Sequence, residues 1–247
     1  MKELQYWTTN PHWYKTILCK SVVLLSKLIM AKFNTIEYRD AAEWNDITKE
    51  RSRGLLSFSN HVSLFDDPLL ISNLGTTAYK EVRWIAADHK NFFSTKLKGF
   101  VFSAGKCVPI IRGGGLKQPG FDFLIDRLKH NDWVHIFPEG GRTREAKGKL
   151  KLDFKLGIGS LLAQANPIAL PFYHYGMHDV LPIGAKLPRV RKKVIVQFGK
   201  STTITPEWIA QNCQAESPVE IWKALRDWSK QQLLELEEKT RPTQSKN

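Results

Sequence analysis

The chain has 247 residues, 42% of them hydrophobic and 25% charged, with a formal net charge of +13. That balance excludes a disordered or fibrous chain and fits one globular domain of ordinary size. The positive surplus suits a polyanion, either nucleic acid or anionic lipid headgroups, and charge alone does not choose between them.

Residues 12–33 read as a helix. Ile17, Leu18, Val22, Leu25, Leu28, Ile29 and Met30 occupy nearly all its sides, a wider apolar arc than one packing face requires. Trp13 and Tyr14 stand at its start, where interfacial aromatics sit, and Lys15, Lys20, Lys27 and Lys32 are spaced to snorkel toward headgroups. An ordinary packed helix is the other reading; the width of the arc favours the membrane interface. Lys20 and Lys27 interrupt the stretch, so it falls short of the ~18 uncharged apolar residues of a spanning helix, and no secretory signal stands out.

Next comes an alternation of strands and helices. A short apolar run, 55–59, leads into Asn60-His61, and Asp67-Pro68 reads as an N-cap with proline at the first helical position of a helix ending near Gly75. Strands are expected at 82–87, 107–111, 133–137, 168–173 and 194–198. Helices are expected at 91–102, 119–130 and 154–165; in the second, Phe121, Leu124, Ile125 and Leu128 recur at helical spacing. Ser217, Pro218 and Glu220 form a capping box for a last helix carrying Ile221, Leu225, Trp228 and Leu236 on one face. This order predicts an α/β fold: a mostly parallel mixed sheet with helices on both faces, plus an N-terminal interfacial helix. Cys19, Cys107 and Cys213 are odd in number and far apart, which implies buried thiols rather than a disulfide framework or zinc ribbon.

Four constellations carry chemistry. The first is His61 with Asp66. On a continuous helix an offset of five puts two side chains about 140° apart, but a strand-to-helix turn curls the chain back. The carboxylate then holds Nδ1–H of the imidazole and leaves Nε2 as a base. No Gly-x-Ser-x-Gly elbow exists, so the nucleophile is expected to be a hydroxyl on the substrate, as in direct acyl transfer. The second is Arg112 at a strand end before Gly113-Gly114-Gly115, a combination suited to an oxyanion or phosphate. The third is Phe137-Pro138-Glu139-Gly140-Gly141-Arg142. Here Glu139 is placed to accept from a glycerol hydroxyl or to orient Arg112 or Arg142, and Arg142 to bind phosphate. The fourth is the strand bracketed by Pro167 and Pro171, read as a sheet edge or the wall of an acyl groove.

Taken together and in this order, from about Asn60 to Pro182, these motifs resemble the glycerophospholipid acyltransferase family, marked by His-x4-Asp, an arginine-bearing strand, Phe-Pro-Glu-Gly and a proline-bracketed strand. Longer strings, Gly105-Lys106-Cys107-Val108-Pro109 and His174-Tyr175-Gly176-Met177-His178-Asp179-Val180-Leu181-Pro182 among them, resemble the members that move acyl groups between phospholipids and lysophospholipids and remodel cardiolipin. Gly141-Arg142-Thr143 departs from that subgroup toward the wider family, which leaves an acyl-CoA donor open. The resemblance implies His61 as base, Asp66 as its partner, and Arg112, Glu139 and Gly140 in the headgroup site, with no cofactor or metal. It implies a monotopic protein on an anionic membrane, mitochondrial in a eukaryote or the inner membrane in a bacterium. Contacts are expected through Trp13, Tyr14, Leu18, Leu25, Lys192 and Lys193. The chain then divides into a membrane-interface helical segment (1–40), an acyltransferase domain (41–240) and a polar tail (241–247).

His174 and His178 have the offset of helical zinc ligands, but no His-Glu-x-x-His motif accompanies them, so a structural or groove-lining role is expected. Nucleic acid is not expected as a partner, because basic residues are not interleaved with aromatics on any face.

Overall fold

The computed structural model describes residues 4–9, 12–75 and 78–241. In chain order the elements are α1 (Trp13–Phe33), β1 (Thr35–Arg39), α2 (Ala42–Lys49), β2 (Leu55–Phe58), a π-helical turn (Asp66–Ile71) running into α3 (Ser72–Leu74), β3 (Trp84–Asp88), α4 (His89–Phe92), α5 (Lys96–Ala104), β4 (Cys107–Ile110), α6 (Pro119–Lys129), β5 (Trp133–Ile136), α7 (Gly157–Ala165), β6 (Ile168–Tyr175), α8 (Met177–Val180), β7 (Lys193–Phe198), β8 (Thr202–Thr203), α9 (Pro206–Asn212) and α10 (Pro218–Thr240).

Every residue of Leu55–Phe58 is buried, as a strand covered on both faces must be. It lies mid-sheet in the order β1-β7-β6-β2-β5-β3-β4, with β8 pairing to β6. All neighbouring pairs along that order are parallel except β6 with β7. The parallel strands β2, β3, β4, β5 and β6 therefore all end on one edge, where open α/β sheets place their ligands. One apolar layer, with Phe121, Leu124, Ile158, Leu161, Leu225 and Leu233, packs on one face. Trp44, Leu69, Leu70, Phe172 and Met177 belong to another layer. The capping box of α10 is present, with Ser217 and Glu220 each bonding the other's backbone.

The strand bracketed by prolines is internal rather than an edge. Pro171 is tolerated because it falls between two antiparallel neighbours: β8 pairs with 168–169 and β7 with 172–175. Asp67 does not cap a helix. It forms a bidentate ion pair with the buried Arg83, whose Nε lies 2.6 Å from Asp67 Oδ1. A buried guanidinium needs a carboxylate more than an exposed helix end needs a cap. The helix expected at 91–102 is broken into α4 and α5, because Asp88 and Thr95 each cap a separate start.

Helix α1 turns its faces in an unexpected way. The stripe buried against the domain is Lys15, Cys19, Val23, Ser26 and Met30, while Trp13, Ile17, Leu24, Leu25, Leu28 and Phe33 are each at least half exposed. Lys15 does not snorkel: it is buried and donates to Thr8 O at 3.0 Å. Lys27 likewise turns back, to Gly75 O at 3.1 Å. Tyr14 and Leu18 are half-buried, Tyr14 stacking on Phe100 of α5 at 5.4 Å. Among the described residues no helix is long and apolar enough to cross a membrane. Immediately after α1, β1 joins the sheet beside β7, so residues 35–39 are part of the domain. The tail from residue 242 onward lies outside the described residues.

Candidate active site

β2 ends at Phe58, and two residues later the chain delivers Asn60-His61 to the ligand edge. The turn that follows brings Asp66 back beneath the imidazole. His61 Nδ1 lies 2.9 Å from Asp66 Oδ2, and the same oxygen accepts from the N–H groups of Val62 at 2.7 Å and Ser63 at 2.8 Å. Asp66 is wholly buried. Burial works against its charge, but the hydrogen bond with the His61 imidazole and the Ser63 N–H more than offset it, holding the carboxyl below its ordinary value. His61 is 18% exposed at its side chain, and Nε2 has no hydrogen-bond partner among the described residues. Phe137 stacks flat on the imidazole, 4.0 Å between centroids, and the buried His135 meets Phe137 edge-on at 4.8 Å. A base oriented on one nitrogen, open on the other and walled by an apolar ring is suited to taking a proton from an alcohol or amine.

The loop after β5 holds His61 from both sides. Glu139 Oε1 accepts the His61 N–H at 2.6 Å, and Thr143 N donates to His61 O at 2.7 Å. Glu139 Oε2 accepts from Lys151 N at 2.8 Å. Both Glu139 oxygens are thus committed to the backbone, and the side chain is fully buried, its carboxyl pushed up by that burial to about 7. This corrects the expectation that Glu139 meets a glycerol hydroxyl or an arginine. Gly140, at φ +65°, makes the turn, where a Cβ would strike the Lys155 side chain at 2.7 Å.

Arg112 follows β4 and reaches the same loop: a Cβ on Gly141 would stand 3.7 Å from its Nη2. Its Nε pairs with Asp88 Oδ2 at 2.5 Å, and its side chain is 63% exposed. Arg142 is half-buried and makes no side-chain hydrogen bond or ion pair among the described residues. The structure therefore gathers His61, Asp66, Arg112, Glu139, Gly140 and Arg142 at one edge. A cavity of about 200 Å³ adjoins it, lined by Val62, Thr143, Arg144, Lys147, His178 and Ile183 among others. That is smaller than the ~300–1,000 Å³ of typical small-molecule pockets, so it has room only for a small group.

His174 and His178 do not share a helix face. His174 lies near the end of β6 with its ring buried on Asn60, while His178 lies on α8 in the cavity wall. Of the expected membrane contacts, Trp13 and Leu25 face outward. Lys192 is half-buried, and Lys193 pairs with Glu37 at 2.6 Å. Asn60, Asp88, Phe137, Thr143 and His174 support the site without having been singled out as site residues. Asn60, Phe137 and Thr143 stand inside the motifs read from the sequence and His174 was expected in a structural or groove-lining role, whereas Asp88 carried no local signal.

A His–Asp pair at the carboxyl edge of a mostly parallel sheet is an arrangement suited to moving a proton in a group-transfer reaction. The family model described as Acyltransferase matches residues 41–176, and the chain belongs to that family. It is similar to tafazzin of Drosophila melanogaster, 31% identical over 78% of this chain and 50% of that one. It is similar also to a Dictyostelium discoideum protein named taffazin, 36% identical over 58% and 52%. The N-acylphosphatidylethanolamine synthase of Arabidopsis thaliana is 31% identical over 66% and 59%. The chain spans about half the length of the curated relatives it matches. The crystal structure of the 1-acyl-sn-glycerophosphate acyltransferase of Thermotoga maritima shares the fold at a TM-score of 0.60 and 17% identity, covering 97% of this chain and 87% of that one.

Proposed function

We propose that the protein moves fatty acyl groups at a membrane surface, from a phospholipid donor to the free hydroxyl of a lysophospholipid. The observation that carries this reading is the 2.9 Å contact of His61 Nδ1 with Asp66 Oδ2, which leaves Nε2 unpartnered at the sheet's ligand edge. Nε2 removes the hydroxyl proton as the oxygen attacks the donor ester carbonyl. The imidazolium returns that proton to the departing lysolipid oxygen. Arg112, which is exposed, and backbone N–H groups of the Gly140 turn stabilise the oxyanion. Arg112 and Arg142 also hold the headgroup phosphate. Ester exchange is redox-neutral and needs no electron carrier. The outward apolar face of α1, with Trp13 and Leu25, seats the protein on the bilayer, and Lys192 lies at that helix's end.

A second reading follows from the Arabidopsis relative, whose name describes acylation of an ethanolamine amine; the same base serves an amine acceptor. One experiment separates these readings. Purified protein is given anionic vesicles with acyl-labelled phosphatidylcholine, lysophospholipid and phosphatidylethanolamine, without CoA. Label in the former lysophospholipid is the expected result, and label on the ethanolamine nitrogen supports the second reading. Label that moves only when acyl-CoA is the donor replaces the phospholipid-donor reading, and no transfer from either donor overturns acyl transfer.

A further inference from the structure

Asn60 and His174, 114 positions apart, are joined three times. Asn60 Nδ2 donates to His174 O, His174 N donates to Asn60 Oδ1, and His174 Nε2 lies on Asn60 O, each at 2.9 Å. Both residues are buried. A carbonyl oxygen only accepts, so the ring nitrogen facing it carries a proton. His174 Nδ1 has no partner among the described residues. A second proton there would be an orphaned buried donor, so the ring is neutral, in line with the lowering that burial imposes. The charged or titratable groups facing it are Asp66, whose Oδ2 is 3.8 Å from Nε2, and the imidazoles of His61 and His178.

Asn60 O and His61 N belong to one rigid peptide plane. His174 Nε2 holds one end of that plane and Glu139 Oε1 the other, at 2.6 Å. We infer that His174 is a positioning residue: by gripping the Asn60 carbonyl it sets the plane from which the His61 imidazole projects toward Asp66. This rests on the reading of His61 as the base, yet its geometry is testable without turnover.

Three measurements decide it. In ¹⁵N-histidine-labelled wild-type protein, His174 is expected as the Nε2–H tautomer and His61 as Nδ1–H. His174→Gln, which can keep a donor near the Nε2 position, is expected to retain the His61 Nδ1–H signal and to transfer acyl groups within about tenfold of wild type, the worth of one hydrogen bond. His174→Leu is expected to lose that signal and about 10²-fold in kcat, as a small misplacement of a base costs, with KM little changed. An Nδ1–H tautomer at His174, or equal behaviour of the two folded variants in the His61 signal, overturns the inference. Should the leucine variant fail to fold, the wild-type tautomer and the glutamine variant still decide. If wild type transfers no acyl group but the His61 signal follows the donor at position 174, the positioning role stands and the acyl-transfer reading falls.

Discussion

The backbone N–H of His61 donates to Glu139 Oε1 at 2.6 Å, so the buried carboxylate of the Phe-Pro-Glu-Gly motif supports His61 through its backbone. With Thr143 N on His61 O at 2.7 Å, the loop after β5 grips the residue that ends the β2 segment.

Glu139 links stability to pH. Its carboxyl is raised from 4.5 to about 7. A raised acid adds stability that is full below the unfolded value and is lost as pH climbs through the folded one. Unfolding free energy should therefore fall by roughly 3 kcal/mol between those two values, at 1.36 kcal/mol per unit. Glu139→Gln should flatten that slope, measured by denaturant unfolding across the window. It should also lower kcat, because an amide gives only one acceptor to two N–H groups.

Asp66 works in the opposite sense. Its carboxyl is held below 3.8, so its contribution is present above that value and lost as pH falls further. Asp66→Asn should reduce kcat by about 10²–10⁴-fold, the range of general-base catalysis, and weaken the acid-unfolding transition. His61→Ala should lose the same order in kcat and lower the melting temperature, since it takes the imidazole partner from the buried Asp66 carboxylate. Full activity in His61→Ala would reject the base assignment.

Arg112 is exposed and touches the domain chiefly through Asp88. Arg112→Ala should therefore leave the melting temperature nearly unchanged while raising KM for the lysophospholipid about tenfold, the loss of one charge-assisted contact, and lowering kcat, the loss of its proposed oxyanion contact. Unchanged kinetics would remove it from the headgroup site.

The outward face of α1 should govern membrane binding. Each leucine buried in lipid is worth about 1.5–3 kcal/mol, so Leu24→Glu with Leu28→Glu should weaken vesicle partition at least about 10²-fold in flotation assays. The fold should persist, because both residues are exposed. Lys15→Glu should behave differently: it should destabilise the domain, because that side chain is buried on Thr8.

Much of this protein was settled locally by its sequence. Buried strands such as Leu55–Phe58, the amphipathic helix over Pro119–Lys129 and the Ser217–Glu220 capping box are short-range signals, and so is the His61–Asp66 offset once a turn is read between them. Strand β1, Thr35–Arg39, escaped notice because its charged residues hide the apolar alternation of a strand. Tertiary structure decided which groups meet. It turned the lysine-bearing stripe of α1 inward, gave Asp67 to Arg83, buried Glu139 beneath His61 and seated His174 on Asn60. Those choices pair groups from 7 to 114 positions apart, and each was made because a buried charge or donor must find a partner wherever the fold brings one.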